Sequence, residues 1–475
     1  MSFTELTFVF VLLPLSVLLA LALKWLKNEK VKNIIILILS LGVLAYYSWE
    51  SLAIFFIFIV LVYLLGQLVY SSGAGGKEKK KWMVVAVAAL VFSLAYCKYF
   101  PAIISWWNGF DIFKLSYTNI LSIAGISFIT FSAISYIIDI YRGEATPGSF
   151  LDAALFISFF PKFVSGPIVL WKDFQKEMAK TRYSVEKISS GINRIIIGFA
   201  KKLLIADTLG AHIAFIHAKT PSGMDTLTAW LIAIAYFFEI YYDFSGYSDI
   251  AIGLSDLFGL DTKENFNFPY ISQSITEFWR RWHISLGTWF REYVYIPLGG
   301  NRKGNVYVNL FIVFLLTGIW HGANYTFIIW GLAHGMIVLI ERAVKDKTWY
   351  KMIPSVLKWA FTMLYVFLAW ILFMSPNIES ARTFYQMLLP HDHPVLDFTW
   401  RYFASKKIIL ILLVAGIGSL LGLIETRKGL KEKILTFLNK PYIVWAKYLL
   451  LLALLILDIL FLVNSSYSPF IYMQF

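Results

Sequence analysis

The chain carries few charged residues and a single cysteine. Asp, Glu, Lys and Arg make up 15% of its 475 residues, whereas soluble domains contain about 25%. Cys97 lies in an apolar stretch, so the sequence excludes an intrachain disulfide framework and a cysteine-based zinc site. Hydrophobic residues make up 59% of the chain. This is more than a soluble core can bury, so the chain is not an ordinary soluble domain.

Long apolar runs recur along the whole chain. A run of about 20 apolar residues crosses a bilayer as a helix, and the runs here are continuous rather than alternating, which excludes a β-barrel. We therefore predict an all-α, polytopic integral membrane bundle of about eleven to twelve spans. The candidate spans are Phe8–Leu23, Ile34–Trp49, Leu52–Tyr70, Trp82–Phe100, Ile120–Tyr141, Leu227–Tyr242, Val306–Trp320, Thr326–Ile340, Leu357–Met374, Ile408–Leu423 and Tyr448–Val463.

Two further apolar stretches depart from a simple span. Leu151–Leu170 contains two prolines and a glycine. Non-helical backbone is tolerated at membrane depth only where protein or a cavity covers it, so we predict a re-entrant segment there. Gly191–Leu209 carries Lys201 and Lys202 in its middle, which predicts a half-buried or interfacial segment.

The excess positive charge, a formal +13, lies mainly in short loops between spans. This is the positive-inside distribution of an inner membrane protein and does not indicate nucleic acid as a partner. The basic loops at 24–32 and 77–81 are predicted to be cytoplasmic, which puts both termini outside. We expect one transmembrane domain over 1–463, with its core motifs at 150–345, and an extracytoplasmic tail at 464–475.

Three carboxylates lie in or beside one apolar span: Glu239, Asp243 and Asp249. Intramembrane carboxylates are costly and usually line a cavity or pair with a base. Glu239 and Asp243 are four residues apart and share a helical face. We favour a structural role for them, through hydrogen bonds to Arg280, Arg281 or tyrosines, over direct catalysis.

The segment 278–295 combines aromatic side chains at helical spacing with interspersed arginines. This pattern predicts one amphipathic helix that lies at the membrane interface. Its arginines, which include Arg280 and Arg281, would face the cytoplasm. They could bind the phosphates of a coenzyme or anchor the helix to anionic lipid, and the pattern leaves both interpretations open.

His321 follows the apolar span Val306–Trp320 and precedes Gly322 and Asn324, which favour a helix break. A helix of about 16 residues is roughly 24 Å long, so its end lies beyond the middle of a hydrocarbon core about 30 Å thick. A neutral imidazole at that depth can act as a general base. A purely structural histidine is the competing interpretation.

Six short motifs occur in the middle of the chain. They are Pro161–Pro167 (PKFVSGP), Tyr242–Asp249 (YDFSGYSD), Glu264–Pro269 (ENFNFP), Ser274–Ile284 (SITEFWRRWHI), Pro297–Arg302 (PLGGNR) and Gly318–Asn324 (GIWHGAN). Together they resemble the membrane-bound O-acyltransferase family, in its alginate O-acetylation branch, and the resemblance covers residues 90–345.

The resemblance implies an essential catalytic histidine deep in the membrane, which is His321 here. It implies a second family histidine, His283, in the RRWH sequence. It also implies a funnel through the membrane, which the donor enters from the cytoplasm while the acceptor waits outside. The residues assigned to this tunnel or to donor binding are Asp243, Arg280, Arg281, Trp282 and Asn324.

In this branch the donor is typically acetyl-CoA, and a separate extracytoplasmic transferase of the SGNH-hydrolase type passes the acetyl group to the polymer. The resemblance therefore implies O-acetylation of an extracellular, alginate-like polysaccharide by an enzyme of the bacterial inner membrane, in contact with membrane lipid. No metal and no bound cofactor are expected, because the thioester is already activated.

Acylation of peptidoglycan or of teichoic acid is an alternative function. A transporter, which also has buried carboxylates and many spans, or a scaffold for the outer transferase would be a different class.

The last six residues, Phe470–Phe475 (FIYMQF), form a distinct aromatic tail. They resemble the FxYxxF tail of cell-envelope acylation systems, which implies that Tyr472 is a transient acyl carrier. An aromatic anchor at the membrane interface is the competing interpretation.

Overall fold

The computed structural model describes residues 3–73, 76–110, 113–115, 125–163, 166–180, 183–221, 223–391, 398–425, 428–438 and 440–464. The described residues form helices and loops without a strand. By length and composition, eight of the described helices can cross a membrane, and the apolar helices Phe8–Leu23 and Val306–His321 are shorter. This confirms a polytopic helical membrane protein. The predicted count of about eleven to twelve spans is higher than this number.

The helices of the first half pack in two groups. Helices α2 to α6 form the N-terminal group, in which α4 contacts α3 and α5 and α2 contacts α6, whereas α1 contacts α8 and α10. Helices α8 to α10 form the second group. The bounds are α1 Phe8–Leu23, α2 Glu29–Tyr47, α3 Trp49–Ser71, α4 Lys77–Asn108, α5 Ile126–Arg142, α6 Phe150–Ser158, α7 Trp171–Met178, α8 Val185–Phe199, α9 Thr208–Lys219 and α10 Thr226–Leu257.

The second half contains the hairpin that bears His321 and the C-terminal helices. Helix α13 packs along α14, and α14 packs against α16. The bounds are α11 Ile275–Arg281, α12 Ile284–Phe290, α13 Val306–His321, α14 Tyr325–Val344, α15 Thr348–Met352, α16 Ser355–Met374, α17 Ile378–Met387, α18 Trp400–Phe403, α19 Lys406–Leu420, α20 Gly422–Glu425, α21 Lys428–Leu438 and α22 Pro441–Asn464.

Close backbone contact joins α8 to α10. A Cβ atom at Gly191 would lie 2.6 Å from the carbonyl oxygen of Gly253, and one at Gly198 would lie 2.7 Å from that of Gly246. Distances this short leave no room for any side chain. Small residues therefore bring the two helices together, as is common in membrane bundles.

A buried ion pair lies beside this crossing, within the segment that was predicted to be half-buried or interfacial. α8 continues through the π-helical residues Ala200–Asp207 into α9, and Lys202 is 1% exposed. Its Nζ atom lies 2.6 Å from carboxylate oxygens of both Asp207 and Asp243. The interfacial prediction for Lys202 is therefore wrong, because two carboxylates balance its charge inside the bundle.

The same contacts correct the predicted partners of the α10 carboxylates. Asp243 pairs with Lys202 rather than with Arg280 or Arg281. Asp249 pairs with Arg194 and Lys201. The span predicted to end at residue 242 continues to Leu257, so these carboxylates lie inside one long helix.

Two predictions about helix continuity have different outcomes. The interruption within Leu151–Leu170 is confirmed, since α6 ends at Ser158 and the short 3₁₀ turn Phe160–Lys162 follows. The single amphipathic helix over 278–295 is wrong. α11 ends at Arg281, and His283 has a left-handed backbone with φ 46° before α12 begins.

Candidate active site

His321 is the last residue of α13 and lies at the turn between two packed helices. It is 3% exposed. The side chain of Asn324 accepts a hydrogen bond from the backbone N–H of Thr326 and so caps the start of α14. The Nδ2 atom of Asn324 also donates to the carbonyl of Pro376. The broken hairpin predicted from Gly322 and Asn324 is confirmed.

Aromatic rings surround the imidazole of His321. Its ring centroid lies 4.8 Å from that of Trp320 and 5.1 Å from those of Trp330 and Phe373. The ring of Phe327 lies 6.1 Å away. These rings exclude bulk water, and an apolar surrounding strengthens any hydrogen bond that the imidazole makes with a substrate.

Helix α4 holds the end of α13 in place. Lys98 Nζ donates to the carbonyl of Trp320, and Tyr99 Oη donates to the carbonyl of Ile319. The last carbonyls of a helix lack intrahelical donors and carry partial negative charge, so an ammonium group is a favourable cap. These two bonds fix the helical turn that carries His321, and no sequence motif had indicated Lys98 or Tyr99.

His283 belongs to a buried polar network and is 2% exposed. Its Nδ1 atom lies 3.1 Å from Asn265 Oδ1, which also accepts from the backbone N–H of Ser285 at 3.2 Å and from its hydroxyl at 2.8 Å. Asn265 Nδ2 donates to Ser248 Oγ at 2.9 Å. The backbone N–H of Ser285 donates to this atom of the Asn265 side-chain amide, so the atom is the oxygen and not the nitrogen. A neutral His283 therefore carries its proton on Nδ1 and its lone pair on Nε2.

The rings of two tryptophans lie between those of three buried histidines. The ring of Trp320 lies 6.3 Å from that of His283 and 4.8 Å from that of His321. The ring of Trp330 lies 5.1 Å from that of His321 and 4.9 Å from that of His334. The sequence had given no role to His334, which is fully buried.

A cavity of about 890 Å³ reaches this region. Thr317 lines it, and Thr317 lies four residues before His321 on the same face of α13. Trp279 also lines the cavity, and its Nε1 atom donates to His334 Nδ1 at 3.3 Å. The cavity therefore comes within one helical turn of His321.

The wall of the cavity is strongly basic among the described residues. Its one lining carboxylate, that of Glu341, accepts the backbone N–H groups of Ile275 at 2.6 Å and Thr276 at 2.8 Å and caps α11. The positive charges therefore dominate the wall, and they suit an anionic ligand. The lining cations are Arg280, Arg291, Arg342, Lys345 and Lys358.

The residues predicted for the tunnel or the donor do not all meet at this cavity. Arg280 lines it, whereas Arg281 donates to Glu277 Oε1 at 2.9 Å and to the carbonyl of Asn267. Asp243 pairs with Lys202, Trp282 is buried among aromatic rings, and Asn324 caps α14. Tyr472 lies outside the described residues, so its role stays a prediction.

A multi-pass helical protein with a buried histidine beside a basic cavity has the features of a membrane enzyme that takes an anionic substrate. Residues 43–381 match the model of MBOAT, the membrane-bound O-acyltransferase family. The chain belongs to this family and is an O-acyltransferase, which confirms the resemblance seen in the motifs. This family membership favours an enzyme over a transporter.

Curated relatives agree with this family. The chain is 37% identical to the probable alginate O-acetylase AlgI of Pseudomonas putida, over 100% of both chains. It is 42% identical to the protein of the same name from Pseudomonas syringae pv. tomato, over 81% of this chain and 74% of the relative. It is 34% identical to the peptidoglycan O-acetyltransferase of Helicobacter pylori, over 79% and 77% of the two chains.

Proposed function

We propose that this enzyme transfers an acetyl group from cytoplasmic acetyl-CoA towards an extracytoplasmic hydroxyl, for O-acetylation of an alginate-like polysaccharide. The names of the Pseudomonas relatives support the acetyl group and the polymer. The observation that carries the proposal is the basic cavity that ends one helical turn from His321. The positive-inside distribution of the loops supports a bacterial inner membrane.

The shape and charge of the cavity suit coenzyme A. This donor has phosphates at one end and its thioester at the end of a long arm. The phosphates would meet the guanidinium groups of Arg280 and Arg342, which bind such groups through paired hydrogen bonds. Leu310 lines the cavity, and the 11 residues from it to His321 cover about 16 Å of helix. The arm would follow this wall to the histidine.

His321 would act as the general base of the transfer. Its neutral imidazole would take the proton of the attacking hydroxyl as the new C–O bond forms on the acetyl carbonyl. The C–S bond then breaks, and the imidazolium returns the proton to the sulfur, so that free coenzyme A leaves as a thiol. The step needs neither a metal nor a redox cofactor.

His283 would position the reacting groups from the other side of Trp320. Asn265 holds its Nδ1 proton, which leaves the Nε2 lone pair to accept a hydrogen bond from substrate or water. Lys98 and Tyr99 would act as positioning residues, because they hold the carbonyls of the turn that ends in His321.

The outer half of the pathway rests on the resemblance. Tyr472 in the tail 464–475 would carry the acetyl group as an aryl ester, and an extracytoplasmic SGNH-type transferase would pass it to the polymer. A phenol has a pKa of about 10, close to the value of about 8.5 for a thiol. The aryl ester would therefore retain much of the transfer potential of the thioester. We also propose that residues 1–463 form a single transmembrane domain, to which this tail is attached.

Peptidoglycan is the second candidate acceptor, supported by the Helicobacter pylori relative, which covers most of the chain. The two acceptors can be compared directly. Membranes that contain the enzyme would be given labelled acetyl-CoA with either alginate or peptidoglycan fragments. Label on alginate supports the first candidate, and label on peptidoglycan alone would replace it.

The histidine assignment is tested on the purified protein in nanodiscs. Turnover of labelled acetyl-CoA should disappear in His321→Ala and persist in His217→Ala, a matched control on α9 that does not line the cavity. Both variants should show unchanged helical content by circular dichroism. Near-normal turnover in His321→Ala would remove the proposed mechanism.

A further inference from the structure

An unpaired carboxyl group lies near the C-terminal end of the last helix, within its final two turns. Asp458 is on α22 and is 3% exposed. Neither of its carboxylate oxygens has a hydrogen-bond partner among the described residues. Its neighbours Leu457 and Leu460 are exposed on the outer surface of the bundle, where a membrane protein meets lipid. The proposed acyl transfer makes no use of this group.

Asp458 faces a separate small cavity of about 130 Å³ between three helices. Among the described residues, Asp458 is the one polar side chain of its lining. The apolar lining comes from α1, from the helix that begins with α8, and from α22. Representative lining residues are Val9, Leu13, Ile192, Phe199, Leu455 and Leu462.

The chemistry of this cavity restricts what can occupy it. A buried polar group without a hydrogen bond is costly, and an ionisable residue inside the membrane indicates a functional contact. An ordered water needs two to four polar partners, and among the described lining residues Asp458 is the one polar side chain. The occupant must therefore bring a hydrogen-bond donor at the end of an apolar stem. A lysine or arginine side chain has this form.

We propose that this cavity receives a Lys or Arg side chain from a transmembrane helix of another protein. The apolar stem would pack on α1 and α8, and the charged end would pair with Asp458. The proposal does not rest on the acyltransferase reaction. It makes α22 the element through which a membrane-anchored partner is recruited.

The depth of Asp458 disfavours a lipid headgroup as the occupant. Asp458 lies six residues before Asn464, the last residue of α22. This distance corresponds to about 9 Å along the helix. An amine of a lipid headgroup stays beside its phosphate at the membrane surface, whereas a side chain of a neighbouring helix reaches this depth readily.

A symmetric contact with a second copy is also disfavoured. In a two-fold contact the same surface meets itself, so the two Asp458 carboxyls would face each other. Like charges at short distance cannot both remain ionised. A different helix that carries a cation is complementary in charge instead.

The test uses synthetic transmembrane peptides in nanodiscs with the full-length protein. One Leu/Ala-rich peptide carries a single lysine six residues from its extracytoplasmic end, one carries it at the centre, and one has leucine there. Energy transfer between labelled peptide and protein measures binding. The first peptide should bind about tenfold tighter than the other two, near the upper limit measured for interhelical hydrogen bonds.

The preference should be lost in Asp458→Leu, which keeps the cavity apolar. Circular dichroism and size-exclusion chromatography would show that this variant remains folded. Equal binding of all three peptides would overturn the proposal, as would a lysine preference that survives in Asp458→Leu. Self-association of the wild type that is lost in Asp458→Leu would indicate a second copy instead and would also overturn it.

Discussion

Replacement of Lys98 by methionine tests whether α4 positions the turn that carries His321. The substitution keeps the apolar stem and removes the ammonium that donates to the carbonyl of Trp320. A hydrogen bond from a charged group contributes about 1.5–3 kcal/mol. If this loss falls on the transition state through displacement of His321, kcat should fall about 10- to 150-fold, since each 1.36 kcal/mol is tenfold.

Tyr99→Phe allows the fall in kcat to be compared with the loss of a weaker hydrogen bond to the same turn. Tyr99 donates a neutral hydrogen bond to the carbonyl of Ile319, and such a bond contributes about 0.5–1.5 kcal/mol. The expected fall in kcat is therefore smaller, about 2- to 12-fold. Lys98→Arg should recover part of the activity, because arginine retains a charged donor.

Steady-state measurement of acetyl transfer from labelled acetyl-CoA would give both kcat and KM. KM should change little, since neither Lys98 nor Tyr99 lines the basic cavity. Lys80→Met is a matched control, because Lys80 is an exposed lysine of the same helix. An unchanged kcat in Lys98→Met, or an equal fall in Lys80→Met, would show that Lys98 does not position the turn that carries His321.

Three further predictions concern the cavity, the buried ion pair and the tail. Arg280→Gln should raise the KM for acetyl-CoA about tenfold, as expected for one lost charge-assisted contact, while Arg281→Gln changes it less because Arg281 bonds to Glu277. An equal rise in both variants contradicts this assignment. Lys202→Met should destabilise the protein by about 3–5 kcal/mol, because it leaves the charge of Asp243 uncompensated. Thermal unfolding in detergent measures this loss of stability, and an unchanged unfolding midpoint would contradict the prediction. Tyr472→Phe should abolish acetylation of polymer but not membrane insertion, whereas normal acetylation would make the tail an anchor.

The position of His321 could be predicted because its signals are local. The length of the preceding apolar run predicted its depth in the membrane, and Gly322 with Asn324 marked the break. Both features act within a few residues, and the structure shows the break at the predicted place.

The contacts that hold the site could not be predicted, because they join distant parts of the chain. Lys98 reaches Trp320 across 222 residues. Lys202 looked half-buried or interfacial because one of its two balancing carboxylates, that of Asp243, lies on another helix. A sequence pattern reports the polarity of a residue but not the partner that neutralises it.

The break at His283 shows a similar limit. Helical periodicity continues through 278–295, so the pattern predicted one helix. In the structure, the backbone of Asn267 donates to the carbonyl of Arg281, and the N–H of Ile284 donates to the carbonyl of Asn265. These bonds from a preceding loop occupy the carbonyl of Arg281 and the N–H of Ile284, on either side of the break, and tertiary contacts thus override the local preference.

Transfer of label across the membrane tests the central proposal most directly. Inside-out vesicles from the native bacterium, which retain envelope partners, would be loaded with alginate and given labelled acetyl-CoA on their outer, cytoplasmic face. The account predicts that enclosed alginate becomes labelled with the wild-type enzyme and stays unlabelled with His321→Ala. Labelled alginate in the His321→Ala vesicles, or no labelled alginate in wild-type vesicles that consume acetyl-CoA, would contradict it.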